Sequence, residues 1–201
     1  MMYLMFLKKL IISFFCLILL FVFNPINAEH HGNAEKIEPS WMAVDLENKL
    51  VTFTLTSAYN GNNGSWNYNG FYNGSANLVV PQGWNVNLKF VNPDGNYRHS
   101  IAVIKMWDGD VPQEADDTLV AIARAYSLSP AQGCLSCKED VKFKAKNRDD
   151  YTIGKYSVFC GVPGHGGSGM WLGFSVKDEI KAPFVLYDKS KMDEVYAKPL
   201  L

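Results

Sequence analysis

From Leu50 onward the chain alternates apolar and polar residues with a period of two. VTFTLT places Val51, Phe53 and Leu55 on one face and Thr52, Thr54 and Thr56 on the other. WNVNLKF sets Trp84, Val86, Leu88 and Phe90 against Asn85, Asn87 and Lys89. VKFKAK sets Val141, Phe143 and Ala145 against lysines, and YSVFC and LGFSV continue the pattern near the end of the chain. Successive side chains of a strand point to opposite faces, so this period predicts half-buried strands. The clusters NGNNGS, YNGS, NPDGN and NRDD fall between the runs and supply turns. Many short strands separated by turns predict an all-β chain, an antiparallel sandwich or barrel.

Other stretches break this rhythm. EADDTLVAIARAYS (Glu114 to Ser127) fits either a short helix or an irregular excursion between strands. Residues 178–201 carry scattered aromatics and are expected either to pack back on the domain or to meet a partner. Residues 29–49 open with EHHGNAEKIEPS, polar and ended by a proline, and are expected to form a flexible lead. Residues 1–28 have the layout of a signal peptide. Lys8 and Lys9 precede the apolar run LIISFFCLILLFVF, and NPINA offers cleavage after Ala28. The run has 14 residues, short for a bilayer span of about 20. If it stays uncleaved, the chain is membrane-associated. The expected organisation is thus signal peptide 1–28, lead 29–49, folded domain 50–177 and C-terminal extension 178–201.

Composition fits this picture. Of 201 residues, 48% are hydrophobic, enough for one full-sized core. The net charge of −1 gives no basic field, which excludes nucleic acid as a partner. A cleaved signal implies an extracytoplasmic, oxidising location, the periplasm or the outer face of the cytoplasmic membrane. Three cysteines then remain: Cys134, Cys137 and Cys160. GCLSCK makes Cys134 and Cys137 a candidate local disulfide. It has no following His for haem attachment and no second pair for zinc. Cys160 is the odd one, and metal ligation explains an odd cysteine in an exported chain.

The candidate chemistry lies in VFCGVPGHGGSGMWLGF. Cys160, His165 and Met170 sit on one glycine-rich loop between two expected strands, with four residues between each neighbouring pair. Thiolate and thioether are soft ligands and imidazole is borderline. Cys with two His and a weak axial Met is the ligand set of a blue-copper electron-transfer site. A second histidine must come from elsewhere. His30 and His31 lie in the expected lead, which leaves His99, in NYRHSIAVI at the start of an apolar strand. The shell around the site would include Phe159, Val162, Pro163 and Trp171, with the edge of His165 reaching the surface as an electron port.

The spacing Cys-x4-His-x4-Met before the last strand, with an upstream His, resembles the blue copper proteins, or cupredoxins. CGVPGHGGSGMW, WNYNGFYNG, VVPQGWNVNLKFVN and HSIAVI together resemble the sulfocyanins, and less closely the rusticyanins, over roughly Val51 to Val176. The resemblance implies a Greek-key β-sandwich holding one copper ion through His99, Cys160, His165 and Met170. It also implies one-electron transfer in an extracytoplasmic respiratory chain. The partners would be redox proteins, a cytochrome or a terminal oxidase complex, docking transiently at the His165 end. Ser100 stands where many cupredoxins have Asn, and its hydroxyl is expected to tie the two ligand segments together. The CLSC pair and the long tail depart from the family.

Other classes fit less well. A Cys–His hydrolase would need an orienting acid and an oxyanion motif near either residue, and a binuclear copper site would need a second loop cysteine. A copper storage or delivery module with the same ligands is the alternative function. A second Cu(II) site is conceivable if cleavage follows Ala28. The chain would then begin Glu29-His30-His31, whose amine, amides and third-residue imidazole can wrap one ion in a plane; a pair of solvated histidines is the alternative.

Overall fold

The computed structural model describes residues 34–125, 129–146, 156–192 and 198–201. The expected signal peptide, Cys16, and the Glu29-His30-His31 site lie outside the described residues. The described chain is all-β, with two short 3-10 turns and no α-helix. Its strands are β1 (Ala34–Ile37), β2 (Met42–Asp45), β3 (Leu50–Thr56), β4 (Ala76–Pro81), β5 (Asn85–Asn92) and β6 (Ala102–Lys105). They continue as β7 (Val120–Arg124), β8 (Cys137–Lys144), β9 (Tyr156–Phe159), β10 (Trp171–Lys177) and β11 (Phe184–Asp188).

These strands form a Greek-key sandwich of two sheets. One has seven strands in the order β1-β11-β4-β10-β9-β6-β7, and the other four in the order β2-β3-β5-β8. The alternation read from the sequence sets the inner faces. Val51, Phe53 and Leu55 of β3 and Val86, Leu88 and Phe90 of β5 are buried against Leu78, Val80, Val158, Leu172, Phe174 and Val176 of the larger sheet. Each such side chain contributes roughly 1.5–3 kcal/mol on burial. Asn87 departs from the pattern: it is buried, not outward, and its Oδ1 has no hydrogen-bond partner.

Three expectations are corrected, and for the C-terminal segment one of the two alternatives holds. The sheets are mixed, not purely antiparallel: β10 runs parallel to β4, and β3 parallel to β5. The second half of the expected lead is structured, because β1 pairs with β11 and β2 with β3. Within Glu114–Ser127, the described part holds the edge strand β7, paired with β6, in place of a helix or an irregular excursion. The C-terminal segment packs back on the sandwich, and β11 inserts between β1 and β4. Farther on, the Leu200 carbonyl accepts the Trp41 indole N–H at 2.6 Å, and the Leu200 N–H donates to the Asn69 carbonyl at 2.9 Å. The sandwich therefore draws on residues on both sides of 50–177.

Strands β6, β9 and β10 lie side by side. The start of β6 and the end of β9 are at the same level, since Ala102 pairs with Phe159, and Phe159 in turn pairs with Trp171 of β10. The residues just before β6, just after β9 and just before β10 therefore meet at one end of the sandwich.

Candidate metal centre

That end holds His99, Cys160 and His165. Their candidate donor atoms lie within 4.8 Å of one another, and all three side chains are buried. Met170, fully buried, is the last residue of the loop before β10. The loop is closed by its own backbone. The Cys160 N–H donates to the Met170 carbonyl at 3.1 Å, and the Met170 N–H donates to the His165 carbonyl at 3.0 Å. His165 Nδ1 stands 3.5 Å from Cys160 Sγ.

Two glycines show why the loop sequence is so constrained. Gly169 has φ +98°, a left-handed conformation that an L side chain adopts at a cost, and an added Cβ would fall 2.2 Å from Asn73 Oδ1. A Cβ on Gly166 would sit 1.8 Å from the Phe159 ring. The loop can lie this close to Phe159 only without a side chain there. From outside, the segment between β6 and β7 braces the loop: Gly164 N–H donates to the Gln113 carbonyl and Ala115 N–H to the Gly161 carbonyl.

His99 is fixed from a third direction. It forms an isolated two-bond bridge with Cys134, His99 N–H to Cys134 O at 3.2 Å and Cys134 N–H to His99 O at 2.9 Å. Cys134 and Cys137 are joined in a disulfide, while Cys160 is a free buried thiol. The Ser100 hydroxyl bridges the two ligand segments. It accepts the Gly161 N–H at 2.8 Å and donates toward Cys160 Sγ at 3.7 Å. The Tyr68 hydroxyl donates to the Ser100 carbonyl and holds that turn from below.

The electrostatics suit a metal. Burial pushes His99 down to about 4, against the opposing pull of Asp94. His165 is pushed down to about 4 by burial and then by His99. Both imidazoles are thus neutral and free to donate a lone pair at neutral pH. Burial pushes the Cys160 thiol up, although the N–H groups of Ser100 and Val162 and the hydroxyls of Ser100 and Tyr68 favour its thiolate. A metal binding here must displace that proton.

Whether a metal fits can be tested on unpaired atoms. Both ring nitrogens of His99 are buried and neither has a hydrogen-bond partner. Buried polar nitrogens without partners are costly and rare. A metal bound at one of them would relieve half of that cost. Two neutral imidazoles and one thiol form a soft, low-charge set without a carboxylate. It suits copper and not magnesium or calcium.

Two features escaped the sequence. Trp66 lies against His165, ring centroids 3.9 Å apart and planes 33° from parallel, and meets the His99 ring edge-on at 5.7 Å. With Trp66 over its face, His165 keeps 9% of its surface exposed, a narrow edge. The sequence placed Trp66 only as the first residue of WNYNGFYNG, after a turn cluster, with no contact to either histidine. Trp107 was missed likewise; it packs on Phe159 and Trp171 in a small apolar cluster with Ala102, Ile104 and Ala115. Of the expected shell, Phe159 is buried, Val162 and Trp171 are half-buried, and Pro163 is exposed.

The chain is similar to several known proteins. A sulfocyanin from Sulfolobus acidocaldarius is 26% identical over 149 residues, 70% of this chain and 70% of that protein. Among solved structures, reduced rusticyanin aligns with a TM-score of 0.44 and 22% identity, covering 68% of this chain and 88% of that one. Auracyanin A, a "blue" copper protein from Chloroflexus aurantiacus, aligns with a TM-score of 0.44 and 19% identity, covering 64% of this chain and 99% of that one. The profile of the Sulfocyanin (SoxE) domain matches residues 39–187, well over half of the chain, and with that match the protein belongs to the sulfocyanin family of single-copper cupredoxins.

Proposed function

We propose that the chain is a type 1 (blue) copper protein that carries single electrons between partners of an extracytoplasmic respiratory chain. The observation that supports this most is the buried cluster of His99, Cys160 and His165, with both His99 nitrogens unpaired. His99, Cys160, His165 and Met170 are the residues that would hold the ion. Bound there, copper supplies a Cu(I)/Cu(II) one-electron couple.

The protein's own part is to hold the donors still. They come from three adjacent strand ends, and the hydrogen bonds of Ser100, Cys134 and the loop backbone fix the turns that bear them. A site that barely moves between oxidation states keeps the nuclear rearrangement of electron transfer small. Cys160 gives up its proton on loading, and the Ser100 hydroxyl then donates to a thiolate, a stronger bond than to a thiol. Trp66, lying against the His165 and His99 rings, limits the access of water to them.

A carrier is favoured over an enzyme because the three clustered donors are buried and the described residues offer no further His or Cys ligand beside them. His99 and His165 are the only histidines among the described residues, and both belong to the cluster. The same burial speaks against a storage or delivery module, which needs an exchangeable site. Partners would be redox proteins, a cytochrome or a terminal oxidase complex, docking transiently at the His165 end.

Titration of the purified protein with Cu(II), followed by optical and EPR spectra, tests the proposal. The expected result is one equivalent taken up, an intense visible thiolate-to-Cu(II) band and the narrow copper hyperfine splitting of a thiolate site. A weak, tetragonal spectrum would overturn it. Rapid loss of copper to a mild chelator would favour delivery.

A further inference from the structure

We propose that Trp66 is the electron conduit of this protein, carrying the coupling from His165 to the surface at Tyr97. The inference rests on the electron-carrier reading above and names the route that reading leaves open.

His165 is 9% exposed, and Trp66 covers one face of its ring at 3.9 Å. Trp66 is half-buried, and its other side meets the Tyr97 ring edge-on at 6.0 Å. Tyr97 is 60% exposed. His165, Trp66 and Tyr97 therefore form a continuous aromatic series from the buried cluster to solvent. Electronic coupling falls steeply with gaps between atoms, and stacked π systems keep such gaps small. Along this series one electron passes from an external one-electron donor to the oxidised site. No bond forms or breaks, and neither ring is itself oxidised.

The backbone around Trp66 supports a role beyond packing. Asn63, Gly64 and Ser65 all have positive φ, at 51°, 63° and 73°. Two of the three are not glycine, and such conformations cost of order 1 kcal/mol or more each. Strain of this kind is kept where a side chain must be aimed. The Asn63 side-chain amide then donates to the Trp66 carbonyl at 3.0 Å and to the Ser168 carbonyl at 2.7 Å. Ser168 lies on the ligand loop between His165 and Met170. The segment that carries Trp66 is thereby clamped to the loop that carries His165, and the stacking is fixed from both sides.

A simpler role for Trp66 is to cover the site and exclude water. The two roles predict different things. Replacing the ring by an aliphatic side chain of fair size keeps the cover and removes the π contact. Trp66→Leu should then lower the electron self-exchange rate severalfold, measured by NMR line broadening of mixed oxidation states. The reduction potential and visible band should stay in place. Trp66→Phe should retain most of the rate. Tyr97→Leu, at an exposed position that does not threaten folding, should lower the rate with a substitution-inert ruthenium complex at matched driving force. In the metal-free protein the His165 ring protons should be shifted upfield by Trp66, and Trp66→Leu should abolish that shift.

Unchanged rates in Trp66→Leu and Tyr97→Leu would overturn the conduit. So would a fall that merely follows a shifted potential or an altered band, since Trp66 would then be a cover alone. If Trp66→Leu does not fold, the Tyr97→Leu rate decides. A wild-type protein without the visible band would end the proposed function and the conduit together. A normal band with unchanged rates would end the conduit alone.

Discussion

Cys160 is the residue on which the site turns, because it is the one free thiol among the described residues and it is wholly buried. A hydroxyl in its place is nearly isosteric and a poor ligand for copper. Cys160→Ser should therefore abolish the visible band while leaving the far-ultraviolet circular dichroism of a β-sandwich unchanged; an intense band surviving in that variant would remove Cys160 from the site. Met170 calls for a graded test. A thioether is a weak donor to Cu(II), so Met170→Leu should raise the reduction potential by removing it. Met170→Gln should lower the potential by offering an oxygen that favours Cu(II). Voltammetry that finds neither variant shifted would mean that Met170 merely packs. At the same scale, Ser100 is worth more than its size suggests: its single hydroxyl engages both Gly161 and Cys160.

Among the elements, the turn closed by the Cys134–Cys137 disulfide stands next to the metal centre. Its Cys134 backbone is bonded to both the backbone N–H and the carbonyl of His99, and the Asn92 side-chain amide donates to the Cys134 carbonyl at 2.6 Å. Replacing both cysteines by alanine removes a short cross-link worth about 1–2 kcal/mol by loop-closure entropy. The expected outcome is a loss of that order in urea unfolding, together with faster amide exchange at His99 and Cys134. Exchange unchanged at His99 would show that the disulfide stabilises the turn without steadying the ligand. This coupling could not be seen in the sequence, where CLSC was a pair of cysteines with no visible neighbour. The strands that were legible are those buried on one face, such as β3 and β5, because one-sided burial imposes alternation. Strands β1 and β2 were not, since AEKI and MAVD have no fully buried position to create a pattern. Strand β7, an edge strand, hid behind helix-like spacing. The parallel pairings depend on which distant strands become neighbours, which local periodicity does not encode. Cys160 and His165 were readable because one hairpin connection holds both, and His99 because so few histidines compete. The role of Trp66 was not legible because it comes from a contact 99 residues along the chain.

At the scale of the whole molecule, the metal centre should set how the metal-free protein responds to acid. His99 and His165 both sit near 4 in the folded state, against an ordinary value of 6.5 that the unfolded chain would show. Between those values the unfolded chain binds protons that the folded one refuses, so stability falls as pH falls. The contribution is complete above 6.5, declines from there to about 4, and changes no further below it. Other groups are separable. Asp45, Asp94 and Asp116 are held below their ordinary 3.8 by hydrogen bonds, so their contribution is lost only below that pH. Glu139, raised above 4.5 by burial, acts in the opposite sense at the acid end of the window. Melting temperatures of the metal-free protein should therefore drop steadily from pH 7 to pH 5, before the carboxylates titrate. His99→Leu removes one of the two imidazoles and should flatten the decline. Copper binds the folded state alone, so the loaded protein should melt higher and keep its melting temperature over the same range until the ion is released. A flat profile for the metal-free protein between pH 7 and pH 5 would mean that the two imidazoles are reached by water and protons, and the enclosed pocket described above would have to be opened.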